Sequence, residues 1–215
     1  MRFLFAVLCL AGSAIAQTNV GNASINGTVR YTRAMSPITF GLVNVWNGTL
    51  IIDPGVEMIG ASSSSSICLR NGTVSILSVQ GTDLDPVIMR PAATVWRGIY
   101  NVSRSGRPII EISGAYLLGT GSGRAAIEAT NAEVRLLNSV FQGSKSTSAG
   151  TLTQGVLLAG TFGCIGFVDG CLIDGFTTGI NASRRVVITN TDIRNTVTPI
   201  TVPQSSNVTV SISVE

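Results

Sequence analysis

The sequence predicts an all-β fold, a right-handed parallel β-helix wound from single strands into about six or seven coils. Three observations predict it. Apolar residues come in short runs rich in β-branched types, broken every few residues by Gly, Asn, Ser and Thr, with no helical period. Between Thr49 and Tyr100, two hydrophobic segments open on the same turn, Asn47-Gly48-Thr49 and Asn71-Gly72-Thr73, and a third begins at Trp96-Arg97-Gly98-Ile99. Downstream, a two-strand unit recurs. Its first strand starts with a small residue and then Ile or Val, at Gly98-Ile99, Ala126-Ile127, Gly155-Val156, Gly179-Ile180 and Pro199-Ile200. Its second strand follows at Ile110, Val134, Ile165, Val186 and Val208. An antiparallel sandwich has no reason to repeat such a unit, whereas each coil of a solenoid buries its inner face against the next. The hand follows the general preference of parallel crossovers.

Along the chain, residues 1–16 read as a signal peptide. Arg2 supplies the positive end, Phe3 to Leu10 the apolar core, and Ala14 and Ala16 the small residues before cleavage between Ala16 and Gln17. The apolar run is shorter than the ~20 residues of a span, and no later stretch is long and apolar enough, so a soluble, secreted mature chain is expected. Residues 17–40 fit no coil and are expected to cap the first one, with Thr28 to Thr32 alternating around Val29 and Tyr31. The β-helix is expected over residues 41–215.

In the second strands, a period of two places Val134, Leu136 and Asn138 inward, then Ile165, Phe167 and Asp169, then Val186, Ile188 and Asn190. The preceding coil has Gly114 at that bend. A buried polar side chain is costly unless hydrogen-bonded, so Asn138, Asp169 and Asn190 read as a structural ladder in preference to a catalytic row. A third short strand brings Leu117, Phe141, Ile173 and Ile193 inward. Gln142 to Gln154 and Ala61 to Ser66 read as solvated loops. Asn207 to Glu215 reads as a strand up to the last residue; that implies an incompletely capped coil, end-to-end self-association there, or a truncated gene product.

Net charge is +3, and the basic residues are scattered, which argues against a nucleic-acid partner. Seven Asn-X-Ser/Thr motifs, at Asn22, Asn26, Asn47, Asn71, Asn101, Asn181 and Asn207, together with the signal peptide, predict an N-glycosylated surface with most of these sites used. Once Cys9 leaves with the signal, Cys68, Cys164 and Cys171 remain. Their readings are one bridge plus a free thiol, an intermolecular bond, or three buried hydrophobes. A Cys164–Cys171 bridge is disfavoured across an extended Ile165-Gly166-Phe167-Val168 segment.

The stretch from Ser36 to Tyr100 carries a Ser-Pro before a strand, then Gly-Thr-Leu followed by Asp-Pro-Gly-Val-Glu, then Asn-Gly-Thr, Gly-Thr-Asp, Pro-Val-Ile and Trp-Arg-Gly-Ile. It resembles parallel β-helix repeat proteins, and among animal proteins the extracellular β-helix of the bark beetle (anakonda) family. The resemblance covers Ser36 to about Thr198. It implies a non-catalytic extracellular adhesion or matrix role, with proteins or glycans as partners and no cofactor. Bark-beetle-type proteins also carry other extracellular modules and a transmembrane helix, which this sequence lacks.

The enzymatic alternative is a polysaccharide lyase or glycoside hydrolase of the pectate-lyase-like fold. With no His in the chain, a His base or His-ligated metal is excluded. The carboxylate pairs on offer are Asp83/Asp85 and Asp169/Asp174. Asp174 with Arg194 and Glu133 with Arg135 are candidate neighbours across coils. A lectin-like face is a third reading, and Trp46 is then the aromatic to watch, since Trp96 lies in the repeat and reads as packing.

Overall fold

A computed structural model describes residues 17–70, 75–102, 106–121, 125–143, 154–160, 165–183 and 185–202. Nineteen strands form one continuous parallel sheet wound into a solenoid, a parallel β-helix. Strands β1 (Thr18–Tyr31) and β2 (Ile38–Ile52) each run around all three faces. Each later coil uses three strands. The second face of the following coils holds β4 (Ser66–Leu69), β7 (Gly98–Asn101), β10 (Ala125–Thr130), β13 (Gln154–Ala159), β16 (Thr178–Ala182) and β19 (Thr198–Thr201). The first face holds β3 (Glu57–Gly60), β6 (Val87–Pro91), β9 (Ala115–Thr120), β12 (Val140–Gly143), β15 (Leu172–Asp174) and β18 (Asp192–Arg194). The third holds β5 (Ile76–Gln80), β8 (Ile109–Ser113), β11 (Glu133–Leu137), β14 (Ile165–Asp169) and β17 (Val186–Thr189). The described residues thus make seven full turns and two faces of an eighth.

Each interior stack follows from register. On the second face Ile67, Ile99, Ile127, Val156, Ile180 and Ile200 lie one above another, as the recurring small-residue-plus-aliphatic unit requires. Where the residue before them is glycine, a close carbonyl requires it. A Cβ on Gly155 would sit 2.6 Å from the Gly179 carbonyl oxygen, and one on Gly179 2.5 Å from that of Pro199. On the first face Leu117, Phe141, Ile173 and Ile193 stack as the alternation predicts. All but Ile193 and Ile200 are fully buried.

The third face departs from the alternation in one coil. Val134 pairs with Gly166 and Leu136 with Val168, so Gly166 and Val168 face inward while Ile165 and Phe167 are 48% and 37% exposed. A slip of one residue turns every side chain over. The cause is Leu158, whose Cδ1 would lie 2.3 Å from a Cβ on Gly166 and already fills that space.

The same shift corrects the ladder. Asp169 pairs with Leu137 and Thr189, and Gly170 takes the place beside Asn138 and Asn190. Asn138 and Asn190 are exposed rather than inward. What Gly114, Asn138, Gly170 and Asn190 share is a left-handed backbone, with φ of 55°, 45°, 60° and 46°. Asn tolerates that conformation better than any other non-glycine residue. The column is therefore chosen for backbone geometry. Asn138→Gly is expected to leave stability unchanged within a few tenths of a kcal/mol, and Asn138→Ala to cost about 1 kcal/mol in urea unfolding.

The segment 17–40 is likewise more than a cap. β1 makes a complete first coil, bending at Gly21 and Gly27, whose φ values are 50° and 96°. Its weak alternation hides it, because Val20, Ala23 and Val29 are only partly buried while Ile25 and Tyr31 are buried. Position 40 falls inside β2 and marks no boundary. The signal segment with Ala16, the residues Asn71, Cys164 and Asn207, and the terminal Asn207–Glu215 strand lie outside the described residues.

Candidate functional site

On the outside of the third face, parallel register aligns outward side chains into columns. Ser78, Glu111 and Arg135 form one column, and Gln80, Ser113 and Leu137 the next. Between them lies an open groove of about 380 Å³ crossing three coils. Gly81 closes its upper corner, where no side chain fits: a Cβ there would lie 2.0 Å from the Gly114 carbonyl oxygen. Successive rungs offer polar groups about 4.8 Å apart along the axis.

One arginine bridges the two carboxylates at the groove. Arg135 Nη2 lies 2.7 Å from Glu133 Oε1 and Nη1 lies 3.6 Å from Glu111 Oε1. Gln80 Nε2 donates to Ser78 Oγ at 3.1 Å. All three charged side chains remain substantially solvated, so these pairs are weak and exchange readily for ligand contacts. Just below, Phe167 occupies the rung after Arg135 in the same column. Arg135 and Glu133 were legible in the sequence as a pair; Ser78, Gln80, Glu111 and Ser113 were not, since only the register between coils assembles them.

The other carboxylates singled out by sequence sit in bonded corners. Asp85 Oδ1 is 2.9 Å from Arg33, and Asp83 is exposed on the same turn. Asp169 Oδ1 accepts from Thr189 Oγ1 at 2.6 Å and Asn190 Nδ2 at 3.1 Å. Asp174 is in register with Arg194, yet it accepts from Asn195 Nδ2 at 2.6 Å while Arg194 lies 3.7 Å from Asp192. Among the described residues no three His, Cys, Asp or Glu side chains gather to hold a metal ion. No helix among them is long and apolar enough to cross a membrane.

The glycosylation motifs divide by exposure. Asn22, Asn26 and Asn47 are exposed and Asn181 is half-buried. Asn101 is 4% exposed, and its amide is fully engaged with the next coil: Nδ2 donates to Thr130 O at 2.7 Å and Oδ1 accepts from Thr130 N at 2.6 Å. A glycan on that nitrogen is incompatible with this packing, which removes Asn101 from the surface sites.

The tryptophans divide as the sequence suggests. Trp46 is 42% exposed with the Arg70 guanidinium 5.9 Å from its ring centroid. Trp96 is buried, donating from Nε1 to Leu118 O at 2.9 Å. A second cluster, on the second face, was not legible in the sequence: the Arg97 guanidinium stacks 3.8 Å from the Tyr100 ring centroid beside the buried Cys68. Burial raises both the Tyr100 hydroxyl and the Cys68 thiol.

Cys68 and Cys171 are free, buried thiols. Burial pushes Cys171 up to about 11 from an ordinary 9.0. Folding holds this thiol protonated where the unfolded chain would ionise. Its contribution is full below pH 9.0 and is lost as the pH rises through about 11. Between those limits wild type is expected to lose on the order of 2 kcal/mol more than Cys171→Ala in denaturant titrations.

No protein family, curated protein or solved structure matches this chain.

Proposed function

We propose that this chain is a secreted, N-glycosylated β-helix scaffold that acts without catalysis as an extracellular adhesion or matrix module, contacting glycans or proteins through its outer faces. The observation that carries the reading is the third-face groove. Its hydrogen-bonding groups are ordered along the axis, its one arginine is paired with two carboxylates, and the exposed Phe167 stands at its lower end. Such a surface suits a long polar ligand held by many weak contacts. The exposed asparagines Asn22, Asn26 and Asn47 lie on the same kind of solvated exterior. The resemblance to bark-beetle-type β-helices agrees with it.

The test is expression in a secreting animal cell. The protein is expected in the medium, with a mass that falls on treatment with an N-glycosidase. Immobilised, it is expected to retain extracellular-matrix proteins or glycans from a defined panel. Glu111→Ala/Arg135→Ala is expected to weaken that retention about tenfold without changing the fold, since each residue is solvent-facing. Retention in the cell, or turnover of a polysaccharide in the panel, would overturn the proposal.

A further inference from the structure

We infer that N-linked glycans on Asn22 and Asn26 guard the open end of the solenoid against stacking by a second copy. The inference rests on the secretory reading above. Strand β1 pairs with β2 on one side, and among the described residues no strand pairs on its other side. That edge runs around all three faces, so it presents a full coil of backbone donors and acceptors in the geometry a further parallel rung would need. Beneath it Val20, Ala23 and Val29 are only partly buried, leaving apolar surface that another rung would cover.

Sheet proteins ordinarily protect such an edge with Pro, unpaired charge or brevity. β1 is 14 residues long, contains no Pro, and carries as its one charge Arg30, bound to Asp53 at 2.8 Å. It does carry two acceptor motifs, Asn22-Ala23-Ser24 and Asn26-Gly27-Thr28, each beside a corner glycine. Both asparagines are exposed. The Asn22 side-chain oxygen Oδ1 accepts from Leu42 N at 2.8 Å, which fixes the side chain and leaves its Nδ2 available for modification. The transfer is a substitution: the Nδ2 nitrogen bonds to the anomeric carbon of a lipid-pyrophosphate-linked oligosaccharide. The C1–O bond breaks, and the lipid pyrophosphate leaves with the amide proton.

A stacked rung would seat about 4.8 Å above β1, with its outward side chains in the columns of Asn22 and Asn26. A branched oligosaccharide is wider than that spacing, so a glycan at either position obstructs the approach. The motif at Asn47 makes an internal control. It lies one coil in, because Gly27 pairs with Gly48 and Thr28 with Thr49, so β1 already covers its upper edge.

The experiment uses the full secreted chain, with glycopeptide mapping and size-exclusion chromatography with light scattering over a concentration series. Ser24→Ala/Thr28→Ala removes both motifs while keeping Asn22 and Asn26. It is expected to form concentration-dependent end-to-end oligomers, while wild type and Thr49→Ala stay monomeric. Ser24→Lys/Thr28→Lys also lacks the motifs but places charge on the edge, and it is expected to remain monomeric. A monomeric Ala double variant, an oligomeric wild type, or Asn22 and Asn26 both bare on monomeric wild type would overturn the inference. So would oligomers of the Lys double variant, which would point to damage to the fold. A protein with no glycan at any motif would defeat the secretory reading itself, whereas occupied but inert sites would defeat only the guard.

Discussion

Replacing Trp96 by alanine is expected to destabilise the solenoid by about 3–5 kcal/mol, the largest effect of any single substitution considered. The side chain is wholly buried and stands edge-on to Phe40, with ring centroids 5.8 Å apart and planes at 87°. It spans from the β2 coil to the β9 coil, where the indole N–H bonds the Leu118 carbonyl. The loss therefore combines a large cavity with an orphaned acceptor. Trp96→Phe keeps most of the volume and is expected to cost about 1–2 kcal/mol, mainly the hydrogen bond. Trp46→Ala, on the exterior, is expected to change stability by less than about 0.5 kcal/mol. Guanidinium unfolding of the three variants checks the ranking; equal midpoints for Trp96→Ala and Trp46→Ala would contradict the packing described.

Asn101→Ala is expected to cost about 2–4 kcal/mol, because two hydrogen bonds disappear and the backbone N–H and C=O of Thr130 both lose the Asn101 side chain as partner. Asn101→Asp tests the arrangement more sharply. An aspartate still accepts from Thr130 N but turns an oxygen toward Thr130 O, so it is expected to be no more stable than the alanine variant. The same geometry predicts that Asn101 is bare in the folded, secreted protein. Glycopeptide mapping that finds Asn101 largely occupied in correctly folded material would refute it.

Much of the fold was legible because some positions are constrained by the backbone of the neighbouring coil. The residue before Ile99, Val156 or Ile180 has to be glycine because a carbonyl of the next coil approaches within contact distance of any Cβ there. Such constraints print themselves on the sequence at three of the repeats. The coil of Gly166 escaped the alternation because its inward position is a glycine, filled from the side by Leu158, so the pattern offered two registers and the apolar Ile165 and Phe167 suggested the wrong one. β1 escaped because an edge coil buries only part of its apolar residues. The groove was the least legible part. Ser78, Glu111 and Arg135 are far apart in sequence and each is unremarkable alone; only stacking makes them neighbours.

The corner formed by Gly114, Asn138, Gly170 and Asn190 has a consequence for how such a molecule changes over time. Each corner restarts the winding in the same backbone state, so a segment running from one corner residue to the next is an interchangeable unit. Joining Gly114 directly to the residue after Asn138 would delete one whole coil and bring like stacks together, Ile112 onto Val168 and Met89 onto Phe141. Gain or loss of a coil then leaves both ends, and most interior contacts, chemically familiar. The length of the rod becomes a quantity that heredity can adjust in whole steps, much as a chain is altered by its links.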